Sequence, residues 1–199
     1  NQSSNYFKAY VITISGTTPS AGSVTSFGTF SNGVDGLSTA YDPDINRHIV
    51  VFRDRTSGAS QYFSNYIIFQ ISGTSIINNT AAAAFTNFNG GNPRIDYDTA
   101  ANKVVVIYNN VPAGYTVEAK VGAVTTSSIT FGDPITISTG TVYTFGVIYD
   151  PTANKTVVAL GTVASANNDS QALVFNPTGV PNTDFIGITA EDISNGATG

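Results

Sequence analysis

The residues with the most chemical promise in this chain lie between positions 42 and 66. Asp42-Pro43-Asp44-Ile45-Asn46 has the D-x-D-x-N spacing of a calcium loop, in which oxygen ligands alternate along an extended backbone. The full calcium pattern also needs a glycine at its sixth position and a glutamate at its twelfth, where this chain has Arg47 and, nearby, Asp54. A structural turn is therefore the reading taken for Asp42, Asp44 and Asn46, with no metal and no cofactor expected. A few residues on, Arg53-Asp54-Arg55 opens an irregular stretch that reaches Tyr62, Phe63 and Tyr66. Tyrosine rings can stack on a sugar face while guanidinium and carboxylate groups hold its hydroxyls, which makes Arg53, Asp54, Arg55, Tyr62 and Tyr66 the expected ligand-binding residues. The alternative is that these aromatic residues pack the loop onto its own sheet.

Catalytic constellations are poorly represented. The one histidine, His48, directly precedes an apolar run and reads as a solvent-facing strand residue. Asp35, Asp96, Asp133, Glu118 and Asp184 could supply a general acid and base, yet no spacing among them brings two together. The turn boxes of sialidase-like propellers contain tryptophan, and this chain has none. A non-enzymatic protein is expected.

The elements that must position these residues announce themselves by repetition. Tyr41-Asp42-Pro43-Asp44-Ile45-Asn46-Arg47 is echoed by Tyr97-Asp98-Thr99-Ala100-Ala101-Asn102-Lys103 and by Tyr149-Asp150-Pro151-Thr152-Ala153-Asn154-Lys155. The phrase recurs roughly every 50 residues, a period that suits one small antiparallel sheet per repeat. In each copy an aspartate can accept backbone N–H bonds, and the asparagine can adopt the left-handed conformation. Around each turn run strand-like segments, such as Val142 to Tyr149 and Thr156 to Leu160 in the third copy. The expected fold is all-β, a β-propeller or propeller fragment of about three four-stranded repeats, at 23–72, 73–123 and 124–176, plus unpaired terminal strands. The expected organisation is a propeller-like repeat domain over 1–183, with 184–199 as a closing strand or the start of a following domain.

Tyr6 to Ser15 and Phe185 to Thr189 read as strands without partners in a repeat of their own. Either they pair to close a ring as a fourth, incomplete sheet, or the chain is a piece of a larger array; its start at Asn1 and its turn-like end at Gly199 favour the second.

Composition agrees with a turn-rich β protein and narrows the partners. Charged residues make up only 11% of the chain and the net charge is −5, which disfavours nucleic acid and anionic membrane surfaces, since both reward clustered Lys and Arg. No apolar run approaches the length of a membrane-spanning helix, so no membrane insertion is expected. The absence of cysteine and methionine suits a protein exposed outside a cell.

The wording of these repeats, Tyr-Asp-Pro followed by Asn-Lys and a valine-rich strand, then Gly122-Ala123-Val124-Thr125-Thr126-Ser127-Ser128-Ile129-Thr130-Phe131-Gly132, resembles that of tail-fibre and related virion structural proteins of marine bacteriophages. The segment from Asp184 through Ile186-Gly187-Ile188-Thr189 to Gly199 is similar to the lead from such repeats into a small β-domain. The likeness covers residues 37–199. It implies a virion or extracellular location, and a structural or host-recognition module of a tail or other appendage. Its implied partners are a host cell-surface glycan or receptor, other virion proteins and further copies of itself as a homo-oligomer. A secreted bacterial carbohydrate-binding propeller is the alternative. The Arg53-Asp54 pair is replaced by Asn109-Asn110 and Gly161-Thr162 in the later copies, so a ligand site built on it would exist once.

Overall fold

The computed structural model of this chain describes residues 6–55, 62–162 and 171–175. Among them every regular element is a β-strand. Near the start, β1 (Tyr6–Ala9) pairs antiparallel with β4 (Thr25–Thr29), and between them β2 (Ile12–Ser15) and β3 (Thr18–Ala21) form a separate hairpin. Three larger sheets follow. The first contains β5 (Val34–Asp42), β6 (Arg47–Asp54), β7 (Ser64–Ser72), β8 (Ser75–Ile77) and β9 (Ala83–Ala84). The next contains β10 (Gly90–Asp98), β11 (Lys103–Asn110), β12 (Thr116–Val124), β13 (Ile129–Phe131) and β14 (Ile135–Ser138). The last contains β15 (Val142–Asp150), β16 (Lys155–Thr162) and β17 (Gln171–Phe175). These are sheets I to IV, with sheet I being β1 and β4.

Sheets II and III are antiparallel meanders with a broken fourth strand. On the outer edge of β12, β13 pairs alongside Gly122 to Val124, while β14 pairs alongside Val117 to Ala119. The break falls at Gly132-Asp133-Pro134, where proline has no N–H to give a ladder. A side chain at position 122 would put its Cβ 2.5 Å from Ile129 and 2.9 Å from Phe131, so only glycine lets those side chains cross the strand. Phe131 then reaches Tyr66 of sheet II edge-on, ring centres 6.0 Å apart.

This pairing corrects the expected frame of the repeats. The segments at 76–83 and 128–137, expected to open the second and third repeats, pair with the strands before them and so complete the preceding sheet. Tyr6 to Ser15 is also not one unpaired strand: it divides into β1, held by β4, and β2, held by β3. Phe185 to Thr189 lies outside the described residues.

The sheets pack face to face. Successive side chains of a strand point to opposite faces. On β6, Ile49 and Val51 therefore face sheet III, while Val50 and Phe52 face sheet I. On β11, Val104, Val106 and Tyr108 face sheet II and Val105 and Ile107 face sheet IV. Both central strands are consequently apolar runs rather than alternating ones, and their side chains are almost wholly buried. Sheet I contributes Phe7, Phe27 and Phe30, which meet Phe52 and Phe69 in an aromatic cluster with ring centres 5.1–6.4 Å apart.

Candidate functional site

Sheets II, III and IV have two ends, and the first carries the repeated turn. Asp42 Oδ1 accepts the amides of Asp44 and Ile45 at 3.0 and 3.4 Å, Asp98 Oδ1 that of Ala101 at 2.8 Å, and Asp150 Oδ1 those of Thr152 and Ala153 at 2.8 and 3.1 Å. Asn46, Asn102 and Asn154 have φ of 51°, 55° and 52°, the left-handed region that asparagine tolerates better than most residues. Their side chains are also fastened. The hydroxyls of Tyr41, Tyr97 and Tyr149 each donate to the Oδ1 of the asparagine five residues on. The tyrosine of the repeated phrase is thus a strut across its own turn.

The same aspartates tie neighbouring sheets. Asp98 Oδ2 accepts the hydroxyl of Thr156 from sheet IV at 2.9 Å in a buried bond. Tyr97 of sheet III lies beside the Asp42 carboxylate of sheet II; burial first, then the nearby Asp42 carboxylate, pushes its phenol above the ordinary tyrosine value. Asp42 Oδ1 and Asn46 Oδ1 therefore both serve the turn, and Asp44 stands exposed next to them. Among the described residues no group of three or more His, Asp or Glu is gathered as a metal centre.

At the opposite end the sheets disagree. On sheet II, Asp35 faces Arg53 across β5 and β6, and the guanidinium grips the carboxylate with two bonds of 2.6 Å. Arg55 Nε stands 3.8 Å from the same carboxylate with its side chain about half exposed. Tyr62 lies with its ring centre 5.6 Å from the Arg53 guanidinium carbon. The backbone fixes the group: the Asp54 amide donates to Phe63 O at 2.9 Å and that of Arg55 to Gly33 O at 3.1 Å. Four side chains, Asp35, Arg53, Arg55 and Tyr62, thus form one partly exposed cluster carrying two cations and one anion.

One expectation changes here. Tyr66 is a core residue, only 7% exposed, whose oxygen accepts the Ile129 amide at 3.2 Å; it packs between sheets and does not face a ligand. Asp54, half-buried at the end of β6, takes its backbone into the loop closure, and Asp35 is the carboxylate that meets Arg53. Sequence reasoning placed Asp35 among scattered carboxylates. Counting outward from the Asp42–Arg47 pair would set Gly36 opposite Arg53, but a bulge between Asp35 and Ser38 shifts the register by one. At Gly36 φ is +65° and an added Cβ would lie 2.9 Å from Pro93, so the bulge depends on glycine.

The positions matching Asp35 and Arg53 have other duties elsewhere. Sheet III has Gly91 opposite Asn109, and Asn109 is fully buried, donating to Val142 O at 2.7 Å and Tyr115 O at 3.2 Å. Sheet IV has Thr144 opposite Gly161. Only sheet II places charges there.

Several other titratable groups have partners within the sheets. Glu118 is buried and accepts the Tyr108 hydroxyl at 2.9 Å and the Asn110 amide at 2.7 Å; burial first, then this carboxylate, raises the Tyr108 phenol far above its usual range. Lys120 donates to Phe85 O at 2.8 Å, and burial lowers its ammonium pKa. Asp96 accepts the Tyr97 amide at 2.8 Å and the Tyr149 amide at 2.6 Å. His48 is half-buried between the rings of Tyr41 and Phe69, at 4.6 and 5.3 Å, which corrects the expectation of a solvent-facing residue; burial lowers its pKa.

Comparison with protein families, with curated proteins and with solved structures finds no match for this chain.

Proposed function

We propose that this chain is a non-enzymatic structural or host-recognition module of a bacteriophage tail or other virion appendage, its sheets being blades of a β-propeller or propeller fragment. Three features support the blade reading. Sheets II and III are meanders in chain order, consecutive sheets stack by their faces, and the first strands of consecutive sheets run close together. Those first strands are joined by Ile95 N to Ser38 Oγ at 3.2 Å, Arg94 to Gly36 O at 3.4 Å and Tyr149 N to Asp96 at 2.6 Å.

The observation that carries the recognition role is the Asp35–Arg53–Arg55–Tyr62 cluster, present once on a scaffold whose other end repeats three times. A rigid scaffold with one divergent end is the arrangement in which binding residues are held in place by elements that do not change. Its chemistry fits a host cell-surface glycan: Tyr62 offers a ring face, the two arginines offer donors, and Asp35 accepts. Binding of the isolated chain to defined sugars on a glycan array, lost in Arg53→Ala, is the expected result. Silence across the array would leave a scaffold role among other virion proteins.

A secreted bacterial carbohydrate-binding propeller would use the same cluster. Labelling with an antibody raised against the chain separates the two: decoration of tail appendages fits the virion reading, and its absence alongside sugar binding fits the secreted lectin.

A further inference from the structure

One backbone position in this chain has a conformation that its residue type disfavours. Tyr115, in the connection from β11 to β12, has φ of 64°, whereas the other positive-φ positions among the described residues are all asparagine or glycine. For a bulky side chain this left-handed region is strained, and such strain persists only where the surroundings impose it. Here they do. The Tyr115 amide donates to Asn110 O at 3.0 Å, and its carbonyl accepts the Asn109 side chain at 3.2 Å and the Val142 amide at 3.3 Å. The carbonyl of Gly114 accepts the Thr141 hydroxyl at 3.1 Å. Glycine at position 115 would make the same backbone bonds without strain. The ring is therefore what the strained conformation retains.

These bonds hold out an aromatic pair. Tyr115 meets Tyr143 of β15 edge-on with ring centres 5.0 Å apart, and the two are 37% and 47% exposed. Their surroundings in the chain are uncharged: no Asp, Glu, Lys or Arg lies between Lys103 and Glu118 or between Asp133 and Asp150. The near neighbours are Pro112, Ala113 and Gly114 on one side and Thr141 and Thr144 on the other. Ring faces set at 61° beside hydroxyl groups suit a neutral sugar, which offers an apolar C–H face and a hydroxyl edge. An acidic or basic partner would meet no counter-charge from these segments.

The pair stands at the same end of the sheets as the charged cluster. Tyr62 and Tyr115 occupy the same connection, that after the second strand, in sheets II and III. Backbone bonds run between the two connections: the Gly90 amide donates to Tyr62 O at 3.0 Å and the Val111 amide to Asn89 O at 3.1 Å. Stacked sheets lie about 10 Å apart, so the two aromatic positions are separated by more than one sugar ring.

We infer that Tyr115 and Tyr143 form a second saccharide subsite, which takes a neutral sugar unit of the same glycan chain that the Asp35–Arg53–Arg55–Tyr62 cluster holds. This subsite rests on the proposed glycan-recognition role and makes the ligand an oligosaccharide rather than a single sugar.

The test is calorimetric titration of the full chain with a glycan that binds on the array and with its mono-, di- and tetrasaccharide fragments. The tetrasaccharide is expected to bind about tenfold or more tightly than the monosaccharide. Tyr143→Ala and Tyr115→Gly are expected to remove that gain, and Tyr115→Phe to keep it. Tyr115→Gly is also expected to melt no lower than the parent chain, because it relieves the strained φ. Equal affinity for all fragments, unchanged by Tyr143→Ala but lost in Arg53→Ala, would overturn the subsite and leave the glycan role standing. No binding of any glycan would overturn both. A lower melting temperature in both Tyr115→Gly and Tyr143→Ala would make the pair a structural clamp and sink the subsite. Access is read separately: the chain contains no cysteine, so Tyr143→Cys supplies a single thiol. Rapid reaction of the folded variant with a maleimide is expected, and failure to react would show the surface to be covered and overturn the inference.

Discussion

The two ends of sheets II, III and IV solve different problems with the same strands. At the Tyr-Asp end, an aspartate oxygen, a left-handed asparagine and a tyrosine hydroxyl are assembled in three copies with nearly the same geometry. At the far end, the matching register positions hold an ion pair on sheet II, a buried asparagine on sheet III, and Thr144 opposite Gly161 on sheet IV. The first end is held because a turn between paired strands must reverse the chain and satisfy its amides in every sheet. The second end also reverses the chain, after β6, β11 and β16, but through connections of unequal length and sequence, so no single set of side chains is repeated there. That contrast is the reason the proposed recognition role is assigned to the far end.

The largest expected effect that sharpens the contrast lies inside the repeated turn. Asp98→Ala removes the acceptor for the Ala101 amide and for the buried Thr156 hydroxyl, and is expected to cost about 2–3 kcal/mol in denaturant unfolding. Asp150→Ala, at an exposed turn with the same local bonds, is expected to cost only about 1 kcal/mol. Equal losses at both would show that the link between sheets III and IV contributes nothing.

Next in size is the asparagine. Asn102→Ala puts a residue without asparagine's tolerance of the left-handed region at φ of 55° and strips the Tyr97 hydroxyl of its acceptor, for about 1 kcal/mol or somewhat more. Asn102→Gly keeps the backbone and should recover part of the loss, read from melting temperatures.

At the divergent end, Arg53→Ala is expected to change stability by no more than about 1 kcal/mol, since the pair with Asp35 is only partly buried. Its larger consequence should appear as lost glycan binding. A stability loss matching that of Asp98→Ala would make the cluster a structural clamp and dissolve the distinction between the ends.

The smallest effect is a pH dependence from His48. Burial between Tyr41 and Phe69 lowers its folded pKa, so its contribution is complete above the unfolded value of about 6.5 and is lost as pH falls below that. His48→Gln should flatten this part of the stability profile.

The turn is legible in the sequence as far as its aspartate and asparagine, because local hydrogen bonding and left-handed propensity depend on residue type; that the tyrosine hydroxyl fastens the asparagine appears only in the structure. Strand identity was equally legible, because Val104 to Ile107 and Ile49 to Phe52 are apolar runs without helix-forming neighbours. What tertiary structure decided is which strands belong together. The segment from Ile129 to Ser138 carries the same alternation whichever sheet it joins, and only its pairing with Thr116–Val124 assigns it to the sheet before. The site was divided in the same way. Arginine and tyrosine at 53, 55 and 62 were visible by type, but the partner of Arg53 depends on a one-residue bulge, and the burial of Tyr66 depends on sheet III lying against it. Residue types determine what a segment can do over a few neighbours. Register and packing sum small preferences over the whole stack, and no local stretch of sequence contains that sum.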